Sequence, residues 1–224
     1  MWFHQLGIVG VHLLICYILV CSNAQNINYR LSDNIKPSLY TIQIRVDLVK
    51  FEFDGSVSIE LQADRETSLI EVHQLDLKID FDSDVRVYDE NLIRINHTKI
   101  DYIKESQILQ IHMKNKLATK QIYVLKINFV GSITDDMKGL YRSPQYENNV
   151  VKLVSYVSCS LDPIYNSLIS LRYIGTTFSA PAYARKIFPC FDEPHFKAKF
   201  HLTLTHKNNA LSNMKVEQIY NETL

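Results

Sequence analysis

The sequence predicts an all-β domain of antiparallel strands, arranged as a sandwich or an open barrel. Three observations carry that prediction. Apolar and polar residues alternate at period two in segment after segment, which is the signature of strands with one face in a core. The alternating runs are short and separated by turn residues, as in sandwiches and barrels. No long amphipathic helix competes with them.

In the first clear strand, Tyr40, Ile42, Ile44, Val46 and Leu48 share one face, and Thr41, Gln43, Arg45 and Asp47 share the other. Val57, Ile59 and Leu61 then alternate with Ser58, Glu60 and Gln62. Leu109, Ile111 and Met113 alternate with Gln110 and His112, and Tyr123, Leu125, Ile127 and Phe129 share a face. The run Phe196, Ala198, Phe200, Leu202 and Leu204 opposes Lys197, Lys199, His201, Thr203 and Thr205, which predicts a further half-buried antiparallel strand. Only Ala182 to Ile187 reads as helical, for one or two turns. Val154 to Ser170 is rich in Ser, Tyr and Leu without a charge pattern, so an irregular insertion is expected near 147–172; loops of that length are uncommon in compact domains.

Composition narrows the function classes. The 224 residues carry a formal net charge of zero with no basic block, so no nucleic-acid partner is expected. Leu6 to Val20 is almost wholly apolar and Ser22-Asn23-Ala24 supplies small residues behind it, which predicts a signal peptide over 1–24 and a mature chain from about Gln25. The run is short for a membrane span. The rest, residues 25–224, suits one domain with a core of its own. The expected location is secreted or at the cell surface. Cys16 and Cys21 fall in the leader, leaving Cys159 and Cys190. Two readings stand for these: a disulfide formed in an oxidising compartment, or a buried thiol at Cys190. Asn96-His97-Thr98 and Asn221-Glu222-Thr223 are glycosylation sequons in keeping with a secretory path.

Several short motifs fall in an order that resembles one family. Tyr29-Arg30-Leu31 with Pro37 and Tyr40 comes first, then Phe53-Asp54-Gly55-Ser56-Val57-Ser58-Ile59, then Ile70-Glu71-Val72-His73 with Leu75 and Leu77. Asp135-Asp136-Met137 with Gly139-Leu140-Tyr141-Arg142-Ser143 follows. Phe188-Pro189-Cys190-Phe191-Asp192-Glu193-Pro194 is the most specific, and Ala210-Leu211-Ser212-Asn213-Met214 extends it. Each is nonspecific alone; their shared order resembles the N-terminal β domain of the zinc-dependent aminopeptidase N family. The resemblance implies a saddle-like β domain and, for the full-length family member, zinc-dependent removal of N-terminal residues from peptides. It also implies further strands beyond Leu224, so the chain is expected to hold an incomplete β domain, as a fragment or short form. The leader position often holds an uncleaved signal anchor in that family, which would attach the protein to a membrane.

The same resemblance gives expectations for a site. The family's catalytic zinc helix, His-Glu-x-x-His, has no counterpart among the eight histidines here, and two histidines one helical turn apart are what such a zinc needs. The chain is therefore expected to hold no catalytic residue, no metal site and no cofactor of its own, and to be inactive alone. Its expected partners are peptide N-termini and a catalytic domain of the same protein. In active members a Thr-Gln-x-Glu-Pro run precedes Ala-Arg and its Gln and Glu line the pocket for the substrate's first residue. Counting back from Ala184-Arg185, Phe178 takes the Gln position and Ala180 the Glu position, with Thr177 and Pro181 retained. The alternative reading is a non-catalytic secreted or surface peptide-binding or scaffold protein of the same fold. Asp192, Glu193 and His195 read as a turn before a strand rather than a metal site, His73 as a satisfied structural histidine, and Arg185 with Asp192 and Glu193 as a structural ion pair.

Overall fold

A computed structural model describes residues 28–144, 146–147, 150–151 and 173–206. The leader, Cys159, Asn221 and most of the 147–172 insertion lie outside the described residues. Thirteen strands are described: β1 (Ile35–Asp47), β2 (Glu52–Ala63), β3 (Thr67–His73), β4 (Val85–Tyr88), β5 (Arg94–Ile95), β6 (His97–Ile103), β7 (Ile108–Leu117), β8 (Ile122–Ser132), β9 (Gly139–Pro144), β10 (Tyr146–Glu147), β11 (Val150–Val151), β12 (Tyr173–Phe178) and β13 (Lys199–Thr205). The only helix among the described residues is a 3-10 turn, Ala184–Lys186, shorter than the one or two turns expected there. No helix among them is long and apolar enough to cross a membrane.

The strands form a six-stranded sheet, ordered β13-β1-β2-β8-β4-β5, and a three-stranded sheet, β3-β7-β6, with β9 paired to β12 and β10 to β11. Neither large sheet closes on itself, so the domain is all-β and open. The predicted alternation sets the register. Tyr40, Ile42 and Ile44 of β1 point inward, as do Val57, Ile59 and Leu61 of β2 and Tyr123, Leu125, Ile127 and Phe129 of β8. They join one core with Ile70 and Val72 of β3 and Leu109 and Ile111 of β7. Each such side chain contributes about 1.5–3 kcal/mol on burial. The β1–β2 ladder shifts register between Pro37 and Leu39, because proline lacks the N–H a regular ladder needs.

Two glycines let aromatic rings cross the β2–β8 ladder. Phe53 pairs with Gly131, and Gly55 with Phe129, and the two rings meet edge to face at 6.4 Å. A Cβ on Gly131 would strike the Phe53 ring, and one on Gly55 would strike the Gln43 carbonyl. Each ring lies over the backbone of the glycine opposite it.

The strand predicted over Phe196–Thr205 differs from expectation in three ways. It starts at Lys199 and runs parallel to β1, pairing Tyr40 with Phe200, Ile42 with Leu202 and Ile44 with Leu204. It is also exposed throughout rather than half-buried. The alternation is real, and its apolar row continues the core side of β1. The strand is the outermost of the sheet, however, and no described element covers that row.

Candidate functional site

Two of the family-like segments come together in space. Pairing of β12 with β9 sets Phe178 opposite Gly139 and Thr177 opposite Leu140. The chain then turns through Ser179–Tyr183, where the Tyr183 N–H donates to the Ala180 carbonyl at 2.9 Å, and enters the 3-10 turn. Ala182 and Met137 both sit at positive φ, +69° and +58°, a conformation that costs a side-chain-bearing residue about 1–3 kcal/mol unless its surroundings fix it. Gly139 shares that backbone region at φ +67°, and a Cβ there would press on Lys186 at 2.8 Å.

Lys186 is what fixes the corner. Its Nζ contacts Asp136 at 2.8 Å and Asp76 at 3.5 Å, with the lysine side chain only 12% exposed. Burial pulls the ammonium down, but the Asp136 hydrogen bond and charge, with Asp76, outweigh it and raise its pKa. The same hydrogen bond, aided by the Thr134 hydroxyl at 2.6 Å, holds the Asp136 carboxyl down to about 2. Three separate segments are thus clamped by one side chain.

Over this clamp lies an exposed apolar surface. Phe178 is 51% exposed and tilted against the half-buried Tyr183 ring at 6.2 Å. Lys138 lies over the Tyr183 ring at 5.7 Å, a cation–π contact, and Met137 is exposed beside it in sequence. Ala180 is half-buried in the turn and offers no charge. Sequence reasoning singled out Phe178 and Ala180; it missed Tyr183, Lys138 and Lys186. Tyr183 and Lys186 flank Ala184-Arg185 and Lys138 lies between Met137 and Gly139, but only pairing of β9 with β12 shows that these segments meet.

Behind the surface, a buried polar hub anchors the 184–196 segment. The Arg185 guanidinium bonds Asp192 at 2.9 Å, the Gln107 side-chain carbonyl at 3.1 Å and the Asp192 backbone carbonyl at 3.2 Å. Its own carbonyl accepts from the Leu75 N–H at 2.9 Å. Glu193 accepts from the Leu31 N–H at 2.7 Å, and His195 contacts Asp33 at 3.1 Å. Asp192 and Glu193 are therefore occupied by structural contacts, as the turn reading requires. Among the described residues no group of three His, Cys, Asp or Glu is placed to hold a metal ion.

Cys190 and His73 exchange both backbone hydrogen bonds, at 2.8 and 3.0 Å. Cys190 is buried as a free thiol, with burial pushing its pKa up; Cys159 lies outside the described residues. His73 corrects one expectation. It is fully buried, but neither ring nitrogen has a hydrogen-bond partner. The Tyr29 backbone carbonyl acts on the ring without meeting hydrogen-bond geometry. Burial first, then the Arg185 charge, lowers the His73 pKa to about 4. Tyr40 is buried too; its hydroxyl accepts from the Phe191 N–H at 3.1 Å, and burial raises its pKa far above the usual tyrosine range.

The model of the peptidase M1 N-terminal domain matches residues 36–223. The chain is similar to human aminopeptidase N, 31% identical over 196 residues, which is 83% of this chain and 18% of that protein. It is similar to rat thyrotropin-releasing hormone-degrading ectoenzyme, at 28% over 191 residues and covering 84% and 16%. It is also similar to the puromycin-sensitive aminopeptidase of Caenorhabditis elegans, at 29% over 189 residues and covering 84% and 18%. The chain thus spans less than a fifth of the length of these relatives.

Proposed function

The chain belongs to the peptidase M1 N-terminal domain family, and from that premise we propose that it is the peptide-facing β domain of an aminopeptidase N-like protein at the cell surface or outside the cell. The observation that carries the reading is the Phe178–Tyr183 aromatic surface mounted on the Lys186 clamp. A rigid base under an exposed apolar wall is what a pocket for a peptide's first side chain needs. The domain shapes that pocket and docks to a zinc-binding catalytic domain, which supplies the activated water. This chain's own residues do not fit a catalytic zinc, having no His-Glu-x-x-His pair. The exposed row Phe200, Leu202 and Leu204, 43–47% accessible, is a surface suited to that docking. The ectoenzyme among the relatives supports the surface location.

Phe178 and Ala180 give this wall its own character. A carboxylate facing the substrate's ammonium would be a strong directional contact, and alanine supplies none. The wall therefore favours an apolar or aromatic first side chain and discriminates poorly for a free α-amine. That same loss of polar groups favours a second reading, a non-catalytic peptide-binding or scaffold protein of the same fold.

Activity and zinc content of the purified chain test the proposal. The expected outcome is no turnover of an aminoacyl chromogenic substrate and no stoichiometric zinc by elemental analysis; measurable turnover overturns it. Titration with free and N-acetylated peptides separates the two readings of the wall. Ala180→Glu is expected to introduce about a tenfold preference for the free amine if the wall faces a substrate N-terminus, and none if it is a scaffold surface.

A further inference from the structure

We propose that Asn96 carries an N-linked glycan that shields the corner where the open edges of the two large sheets meet. Strand β5 is the outer strand of the six-stranded sheet and β6 the outer strand of the three-stranded one. Asn96 is the single residue between them. An open edge presents unpaired backbone groups that recruit strands from other chains, and proteins blunt such edges with bulky or charged groups.

The geometry suits the modification. Asn96 is exposed, and its carbonyl accepts from the Lys114 N–H at 3.1 Å, which fixes the backbone. Thr98, the hydroxyl residue of the sequon, is exposed as well, with its Oγ1 donating to the His112 carbonyl at 3.0 Å. An N-glycan on such a sequon is bulky, polar and surface-seated.

The surroundings show what the glycan covers. Leu92 and Ile93 are 66% and 63% exposed on a turn locked by Asp89, whose carboxylate accepts from the Asn91 and Ile93 N–H groups at 2.9 and 2.8 Å. Leu92 sits at φ +61°, so the pair is held outward. These residues lie three and four positions from Asn96, at most about 14 Å along an extended chain. On the other flank a cleft of about 550 Å³ opens between Ile79–Asp82 and His97–Ile100. A rigid apolar turn and two open sheet edges thus lie within a few residues of Asn96. A glycan there keeps them in solvent and leaves the Phe178 and β13 surfaces for partners.

The inference rests on the extracellular location proposed above, and the test separates the two. The full chain is expressed with its leader in a secretory eukaryotic cell, and the secreted protein is treated with peptide-N-glycosidase. The peptide holding Asn96 is expected to lose a glycan mass. Asn96→Gln is expected to raise the self-associated fraction about threefold or more by light scattering. Leu92→Ser with Ile93→Thr in that background is expected to restore the monomer, while Thr98→Ser keeps both glycan and monomer. A secreted, leader-cleaved chain unmodified at Asn96, or an Asn96→Gln chain as monomeric as its parent, overturns the shielding inference alone. A chain retained in the cytosol with its leader intact overturns both.

Discussion

Among single residues, His73 makes the sharpest prediction. Its folded pKa is about 4, against about 6.5 in an unfolded chain, so the native state holds the imidazole neutral. The stabilisation is fully present above pH 6.5. It is lost as the pH falls from about 6.5 towards 4, because the unfolded chain takes up the proton first. The total is about 3 kcal/mol. Urea unfolding at pH 7, 5.5 and 4 should show that slope, and His73→Leu should flatten it. Arg185 is the second case. It is buried beside Asp192, with 9% and 14% of their side chains exposed. Arg185→Ala leaves a carboxylate with no counter-ion and should cost about 3–5 kcal/mol, read as a lower midpoint at unchanged denaturant slope.

Elements are held by contacts that alternation alone does not specify. In the β2–β8 ladder the Phe53–Gly131 and Gly55–Phe129 pairs place two rings over two glycines. Gly55→Ala should destabilise by about 1–3 kcal/mol, since the new methyl meets the Gln43 backbone carbonyl, which cannot step aside. Thermal unfolding of that variant checks it. The corner between the β9–β12 pair and the 184–196 segment depends on the Lys186 clamp instead. Lys186→Met should leave the core folded while loosening the Phe178–Tyr183 wall. Faster amide exchange over 136–140 and 176–184, with protection in β2 and β8 unchanged, is the expected result.

On the scale of the whole molecule, the six-stranded sheet ends in β13 with an apolar row that no described element covers. Leu202→Thr with Leu204→Lys should change stability by less than about 0.5 kcal/mol per site, because the row is already half in water; urea unfolding of the double variant checks it. Alternation of Tyr40–Ile44, Val57–Leu61 and Tyr123–Phe129 was enough to fix the strands, their inward faces and the all-β class, since a period of two can bury one face only as a strand. The ordered motifs around Asp136, Arg185 and Asp192 likewise revealed the family. Alternation could not show that the last such strand lies at an edge, parallel to β1 and uncovered, because the same pattern serves a core strand and a bare one. Nor could it show that Asp136 and Lys186, 50 residues apart, clamp one wall, or that His73 is buried with no partner for either nitrogen. Those facts belong to long-range pairing: local residues encode which face is apolar, and only tertiary structure decides what that face meets.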